Sequence, residues 1–190
     1  MRVTLWRLVP WRAQAAPREP GGALWFPRAL QGLGRHDNPD RYGCLYASEA
    51  AASAVAEALA PFRGTAVLAP EMLVRADLPL ALARLDLDDP GRLVDLDDPR
   101  VLSTRGLRPS GVATRARALT QGYAARVFDE LPQAVGLRWW STLEASLINL
   151  TLYDRAAPHL SVVDIKGLTV GHAAVVEAAE MLGLAAERRS

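Results

Sequence analysis

Arg35, Tyr46 and Glu57 stand at equal steps of eleven residues. Spacing of that kind carries no chemistry by itself; the residues around each position decide. Glu57 lies in "ASEAAASAVAEAL", where between Ala50 and Ala60 only Ser53 and Glu57 are polar. The two are four apart and so share a face of any helix formed there. One reading is a surface helix with that face in water. The other is a carboxylate drawn partly out of water, which costs free energy unless a cation or a hydrogen-bond donor meets it. An arginine, or positive charge developing on a substrate, would meet that need.

Taken singly, Arg35 and Tyr46 say little. Loop arginines are mostly solvated, and a tyrosine at a strand end commonly packs its ring and turns its hydroxyl outward. "RWWS", residues 138–141, places two tryptophans before Ser141 and suits a core or an interface better than a stacking platform. Other chemistries find no support. His36, His159 and His172 are scattered and lack metal-ligand spacing, so no metal is expected. There is no G-x-S-x-G elbow, and "GGALW" and "GLGRH" match neither a phosphate loop nor a dinucleotide fingerprint.

The elements that must position these residues can be sketched from periodicity. "VTLWRLVP" alternates and reads as a first strand. Residues 13–40, rich in Pro, Gly, Asp and Asn, form a long loop region that delivers Arg35. "YGCLYA" is a short strand ending near Tyr46, and the alanine-rich helix follows it to about Ala60, where Pro61 stops it. Ser48 is the expected N-cap, with Glu49 at the positive end of the helix dipole. A strand followed directly by a helix packed on it can bring Arg35, Tyr46 and Glu57 to one cleft. Further on, "GTAVLAPEML", "PLALARLDLDD", "VGLRWWS", "ASLINLTLYD" and "LSVVDI" suggest strands. Residues 112–131 show helical periodicity through Leu119, Tyr123, Val127 and Leu131, and "VGHAAVVEAAEMLG" closes as a helix with Gly183 as C-cap. Two "LDDP" pieces, 87–90 and 96–99, are expected to be solvated turns rather than a calcium site. Without regular βαβ spacing, the expected class is α+β, in a single domain spanning 1–190.

Composition narrows the function classes. Of 190 residues, 50% are hydrophobic, enough for a core without staples. The single cysteine, Cys44, excludes a disulfide framework within the chain and reads as a buried strand residue. A net charge of +1 argues against direct nucleic-acid binding by counterion release. Nearly all cations are arginine, with Lys166 the one lysine, a bias that suits either a GC-rich genome or phosphate recognition. Neither a signal peptide nor a membrane-spanning segment is evident, and a cytoplasmic location is expected.

The order of these motifs resembles the RES-domain family of bacterial toxin–antitoxin toxins. "LWRLVP" is similar to the family's opening strand, and "GRHDNP" with "YGCLYAS" to its Gly-Arg-aromatic-Asn-Pro loop and following strand. "AVAEAL" resembles the helix bearing its glutamate. "LDLDD…LVDLDDPRVL" is similar to its central segment, and "GLRWWS…NLTLYD" to the segment carrying its serine. On this resemblance Arg35, Tyr46, Glu57 and Ser141 match the family's active-site positions, and Arg7 matches an arginine placed near the ligand. His36 departs from the family's usual Phe or Trp, and "RWWS" replaces its glycine-rich approach to the serine.

The resemblance implies an ADP-ribosyltransferase-like mixed sheet that binds NAD as substrate. It implies cleavage by phosphorolysis or hydrolysis, or transfer of ADP-ribose to a protein. It implies an Xre-like antitoxin as partner and pairing of two copies as a homodimer. Trp25, Phe26, Trp139 and Trp140 are the expected partner surface, which a non-catalytic RES module could also retain. In the catalytic reading Glu57 faces the positive charge on the ribose, and Arg35 clamps the pyrophosphate. Tyr46 lies beside the nicotinamide ribose, and Ser141 orients the nicotinamide end or the acceptor.

Overall fold

The computed structural model describes residues 2–65, 67–88 and 92–186. Its framework is a mixed sheet. The alternating, β-branched and bulky opening segment forms β1 (Arg2–Pro10), which pairs along its whole length with β5 (Leu78–Asp88). On its other side β1 meets β2 (Cys44–Ser48), which pairs with β8 (Ile148–Tyr153), and β8 pairs with β7 (Gly136–Trp140). All these pairs are antiparallel. The short β6 (Leu93–Asp95) adds to β7 in parallel. β4 (Val74–Arg75) and β9 (Leu160–Gly167) both pair with β5. β3 (Val67–Leu68) and β10 (Ala185–Ala186) form a separate parallel pair.

Strand pleating sorts the side chains, because successive residues point to opposite faces. One face carries Leu5, Leu45, Ala47, Leu85, Leu150 and Leu152, in a core closed by Ala23 and Leu24 of the long loop. Each of those fully buried leucines contributes about 1.5–3 kcal/mol relative to exposure. The opposite face is covered by two separate helical groups. α1 (Ala51–Leu59) and α5 (Ala173–Leu182) pack over Trp6, Leu8 and Leu82. α4 (Arg117–Glu130) covers Cys44, Leu137, Trp139 and Tyr153 with Tyr123, Ala124 and Val127. Two short helices, α2 (Pro99–Thr104) and α3 (Pro109–Val112), lead into α4. The seam between the two helical groups is where the polar residues of the sheet lie.

The alanines of α1 have a packing reason. Ala54 and Val55 meet Ala174, Val175 and Ala178 of α5 in one buried cluster. Small side chains let the two helices and the sheet approach closely, so the one long side chain on that face, Glu57, can reach the strands beneath. Ser53 is fully buried, which rules out the water-facing reading of the Ser53–Glu57 face.

Several local expectations need correction. Ser48 does not cap α1: it ends β2, and Ala50, with no side-chain cap, stands at the helix start. The Ser48 hydroxyl donates instead to Asn149 Oδ1 at 2.6 Å, a buried bond that outranks a cap. Glu49, the residue before that start, forms an ion pair with Arg138 at 2.7 Å. The helix expected from residue 112 begins at Arg117, and Leu119 is 52% exposed rather than core. Trp139 is 5% exposed and belongs to the interior, while Trp25, Phe26 and Trp140 are half-buried, so they do not form an open apolar surface. Of the two "LDDP" pieces, residues 89–90 lie outside the described residues. In the second, Asp98 accepts a hydrogen bond from Arg100 N and starts α2 with Pro99 at its first turn. Among the described residues no helix is long and apolar enough to cross a membrane.

Candidate active site

Register builds the floor of the site. Trp6 pairs with Ser48, Ser48 with Asn149, and Asn149 with Trp139, so four strands present one row of side chains to the seam. Two residues further along β2 and β8, Tyr46 pairs with Thr151. A cleft of about 290 Å³ opens over this floor, and Arg35, Tyr46 and Glu57 all line it. Arg75, Arg117, Trp139 and Asn149 line it too.

Glu57 is held by one oxygen. Ser141 Oγ donates to Oε1 at 2.5 Å and Asn149 Nδ2 donates to the same atom at 2.7 Å. Ser141 Oγ in turn accepts from Leu143 N at 2.9 Å, so its orientation is fixed from behind. Oε2 has no hydrogen-bond partner among the described residues, and none of their buried side-chain polar atoms lacks one. Oε2 is therefore accessible, on a residue that lines the cleft. Ser141 is 2% exposed and stays out of the lining; it acts on the cleft through Glu57.

Arg35 is delivered by the long loop and is 6% exposed. Its Nη1 donates to Val112 O at 2.9 Å and Thr114 O at 2.7 Å, and its guanidinium lies 4.9 Å from the Trp139 ring centre. Burial, and then repulsion from Arg117, push its pKa down from the usual arginine range. Nε and Nη2 have no partner among the described residues and reach the cleft by the same argument as Glu57 Oε2. A planar fork with one nitrogen anchored and two free suits phosphate oxygens.

The loop that carries Arg35 is pinned by Asp37. Its carboxylate accepts from Gly32 N at 2.8 Å, Gly34 N at 2.7 Å, Tyr46 OH at 2.7 Å and Cys44 Sγ at 3.2 Å. Burial pushes the Asp37 pKa up, but these donors more than offset it and hold the group below the usual carboxylate range. The Tyr46 hydroxyl, donating to Asp37, also accepts from His36 N at 2.9 Å. Its proton is thus committed, burial keeps it neutral with a pKa raised well above 10, and its ring is what the cleft meets. Gly34 is required here by close approach: a β-carbon would lie 2.5 Å from Asp37 Oδ1 and 2.6 Å from Tyr46 OH.

His36 takes the place of an aromatic by behaving as one. It is fully buried, edge-on to Trp139 at 5.2 Å, and its ring nitrogens meet Thr151 Oγ1 at 2.7 Å and Tyr123 OH at 2.9 Å. Burial, then Arg35 and Arg117, depress its pKa well below 6.5, so the ring is neutral.

Arg7 lies elsewhere. Pleating turns it to the face opposite Trp6 and Leu8, where it donates to Ala23 O at 2.6 Å and Trp25 O at 3.0 Å. Burial lowers its guanidinium to about 10, still charged at neutral pH, and it tethers the long loop to β1 rather than lining the cleft. Sequence reasoning passed over Asn149, Asp37, Arg75 and Arg117. Asn149 and Thr151 carried a signal, since they alternate with Leu150 and Leu152 in "LINLTLYD" and mark one polar face of an apolar strand. Among the described residues no group of three His, Cys, Asp or Glu side chains could hold a metal ion.

The RES domain family model matches residues 5–172. The chain belongs to the RES-domain family. Among solved structures, it is similar to a chain in the crystal structure of the M. tuberculosis MbcT–MbcA toxin–antitoxin complex. The identity is 18%, the TM-score is 0.63, and the match covers 96% of this chain and 90% of that one. A comparison with curated proteins finds no match. At this identity the likeness is one of fold: the α+β, ADP-ribosyltransferase-like mixed sheet expected of the family is the architecture found.

Proposed function

We propose that this RES-domain protein is the toxin of a toxin–antitoxin pair and consumes NAD by breaking the nicotinamide–ribose bond. The observation that carries the reading is the half-committed Glu57 carboxylate. One oxygen is fixed by Ser141 and Asn149, and the other is open in a cleft whose remaining charged lining residues are Arg35, Arg75 and Arg117. A dinucleotide asks for an anion facing the positive charge that builds on its ribose and a cation for its pyrophosphate, and Arg35 supplies that cation. The toxin–antitoxin assignment draws on family membership and on the complex that the similar fold comes from.

Nicotinamide leaves with the electron pair of the C–N bond, and the ribose carbon becomes oxocarbenium-like. Glu57 Oε2 faces that charge without reorganising, because Oε1 is already anchored; such preorganised electrostatics is often the largest catalytic contribution. Arg35 Nε and Nη2 hold the pyrophosphate, with Trp139 and two carbonyls fixing the guanidinium. The Tyr46 ring packs beside the sugar. Ser141 and Asn149 are positioning residues for Glu57. The acceptor, water or phosphate, forms the new C–O bond and releases its proton, giving ADP-ribose or its 1-phosphate. An Xre-like antitoxin as partner, a homodimer, one domain across 1–190 and a cytoplasmic setting belong to the same reading.

Incubation of the purified protein with NAD, with and without phosphate, followed by product identification, tests it. Nicotinamide release is expected, and Glu57→Gln is expected to lower turnover by about 10²-fold or more. Parent-level turnover in a folded Glu57→Gln protein would overturn the role of Glu57. ADP-ribose attached to protein, with the NAD pool intact, would replace bulk cleavage by protein modification. No thermal stabilisation by millimolar NAD would favour a non-catalytic partner-binding module.

A further inference from the structure

Resting on the NAD reading, we propose that Arg75 and Arg117 form a second phosphate subsite at the cleft, for a dianionic phosphate group additional to the pyrophosphate. The first ground is charge. The lining carries three guanidinium groups, Arg35, Arg75 and Arg117, against the single carboxylate of Glu57. NAD brings a doubly charged pyrophosphate and a cationic nicotinamide ring, which leaves positive charge over. The Arg75 and Arg117 side chains make no hydrogen bond or ion pair among the described residues, whereas Arg2, Arg41, Arg105 and Arg138 have acidic partners.

The second ground is that both residues are held against local preference. Arg117 is the first residue of α4, where the helix dipole disfavours a cation, and the first turn contains no acid. It also stands near enough to Arg35 for the two charges to repel. Arg75 precedes a two-residue turn, Ala76 and Asp77, between β4 and β5, and both turn residues have positive φ, 50° and 59°. Left-handed backbone at an alanine is strained, and such strain collects at ligand-binding sites. Arg75 therefore approaches from the β4–β5 turn and Arg117 from α4, with Arg35 on the same lining. Paired guanidinium forks suit a phosphate monoester or orthophosphate.

Two sources could supply that group, the 2′-phosphate of NADP or free orthophosphate acting as acceptor. Steady-state kinetics of the full chain with NAD, NADP and orthophosphate, in the parent, Arg75→Ala and Arg75→Lys, separates them. With the 2′-phosphate as occupant, Arg75→Ala lowers kcat/KM for NADP by about tenfold and that for NAD by less than about threefold, with partial rescue by lysine. With orthophosphate as occupant, KM for orthophosphate rises by about fivefold or more while KM for NAD holds. Equal or negligible changes for all three overturn the subsite. If the parent cleaves no dinucleotide, the catalytic reading fails separately, and the subsite is then judged by thermal stabilisation with orthophosphate at constant ionic strength. Loss of that stabilisation in Arg75→Ala upholds it; equal stabilisation in parent and variant overturns it.

Discussion

Asn149 holds Glu57 by one oxygen: its side-chain amide donates to Oε1 at 2.7 Å while its carbonyl accepts from Ser48 at 2.6 Å. The bond joins the middle of the sheet to the helix above it and decides which carboxylate oxygen the cleft sees. Asn149→Asp keeps the shape but places two carboxylates within hydrogen-bond distance. Like charges at that range share a proton, so the pair's apparent pKa rises. The acid limb of the turnover profile is expected to move to higher pH, with activity reduced at neutrality and recovering as pH increases. An unmoved limb would show that Asn149 has no electrostatic hold on Glu57.

Gly34 lies between the loop and β2 with no room for a methyl group. A β-carbon there approaches Asp37 Oδ1 and the Tyr46 hydroxyl inside contact distance. Gly34→Ala is expected to break the Asp37–Tyr46 hydrogen bond and shift Arg35. A buried hydrogen bond to a charged group is worth about 1.5–3 kcal/mol, so a thermal midpoint lowered by several degrees should accompany a loss of turnover. Turnover measured well below the new midpoint separates the site effect from unfolding. Parent stability and turnover together would show that the loop accommodates the methyl group.

How much of this was legible in the sequence can be judged residue by residue. The opening strand, the Ala-rich helix and the Gly183 cap announce themselves, because periodicity and φ requirements are local. Arg35, Tyr46 and Glu57 could be singled out, since a lone acid in an apolar helix and a loop arginine are visible without the fold. Ser48 misled because a serine before a helix resembles a cap, whereas its partner, Asn149, is 101 residues away. Arg7 misled for another reason: sequence cannot say which sheet face becomes the cleft. Pleating puts Arg7 behind it, while Trp6 and Leu8 line it. Arg75 and Arg117 were hidden among many arginines and are distinguished only by the cleft they share.

His36 makes the fold sensitive to mild acid. The native ring is neutral, with its pKa depressed well below 6.5 by burial and by the nearby arginines. The unfolded chain binds a proton as pH falls through about 6.5, so it holds more protons than the native state there. Stability contributed by the neutral ring is complete above that point and declines as pH falls, by about 1.4 kcal/mol per pH unit until the native ring titrates. Asp37, held below the usual range, begins to matter only in stronger acid. Urea midpoints between pH 7 and 5 should fall in the parent and flatten in His36→Phe. Parallel curves for the two proteins would remove His36 as the source.

The Ala76–Asp77 turn offers a stability gain that separates backbone strain from side-chain function. Both residues have left-handed backbone, and a two-residue hairpin with positive φ at both positions favours Asn followed by Gly. Alanine in that region costs about 1–2 kcal/mol. Ala76→Asn combined with Asp77→Gly retains Arg75 and the pairing of Val74 with Pro79, and relieves the strain. The double variant is expected to be more stable by about 1 kcal/mol, read as a higher denaturant midpoint with unchanged slope. A lower midpoint would show that Asp77 or Ala76 makes contacts worth more than the strain. If the relieved turn also lets Arg75 wander, KM for the phosphate-bearing ligand rises while the fold gains stability, which is the signature of strain spent on placing a side chain.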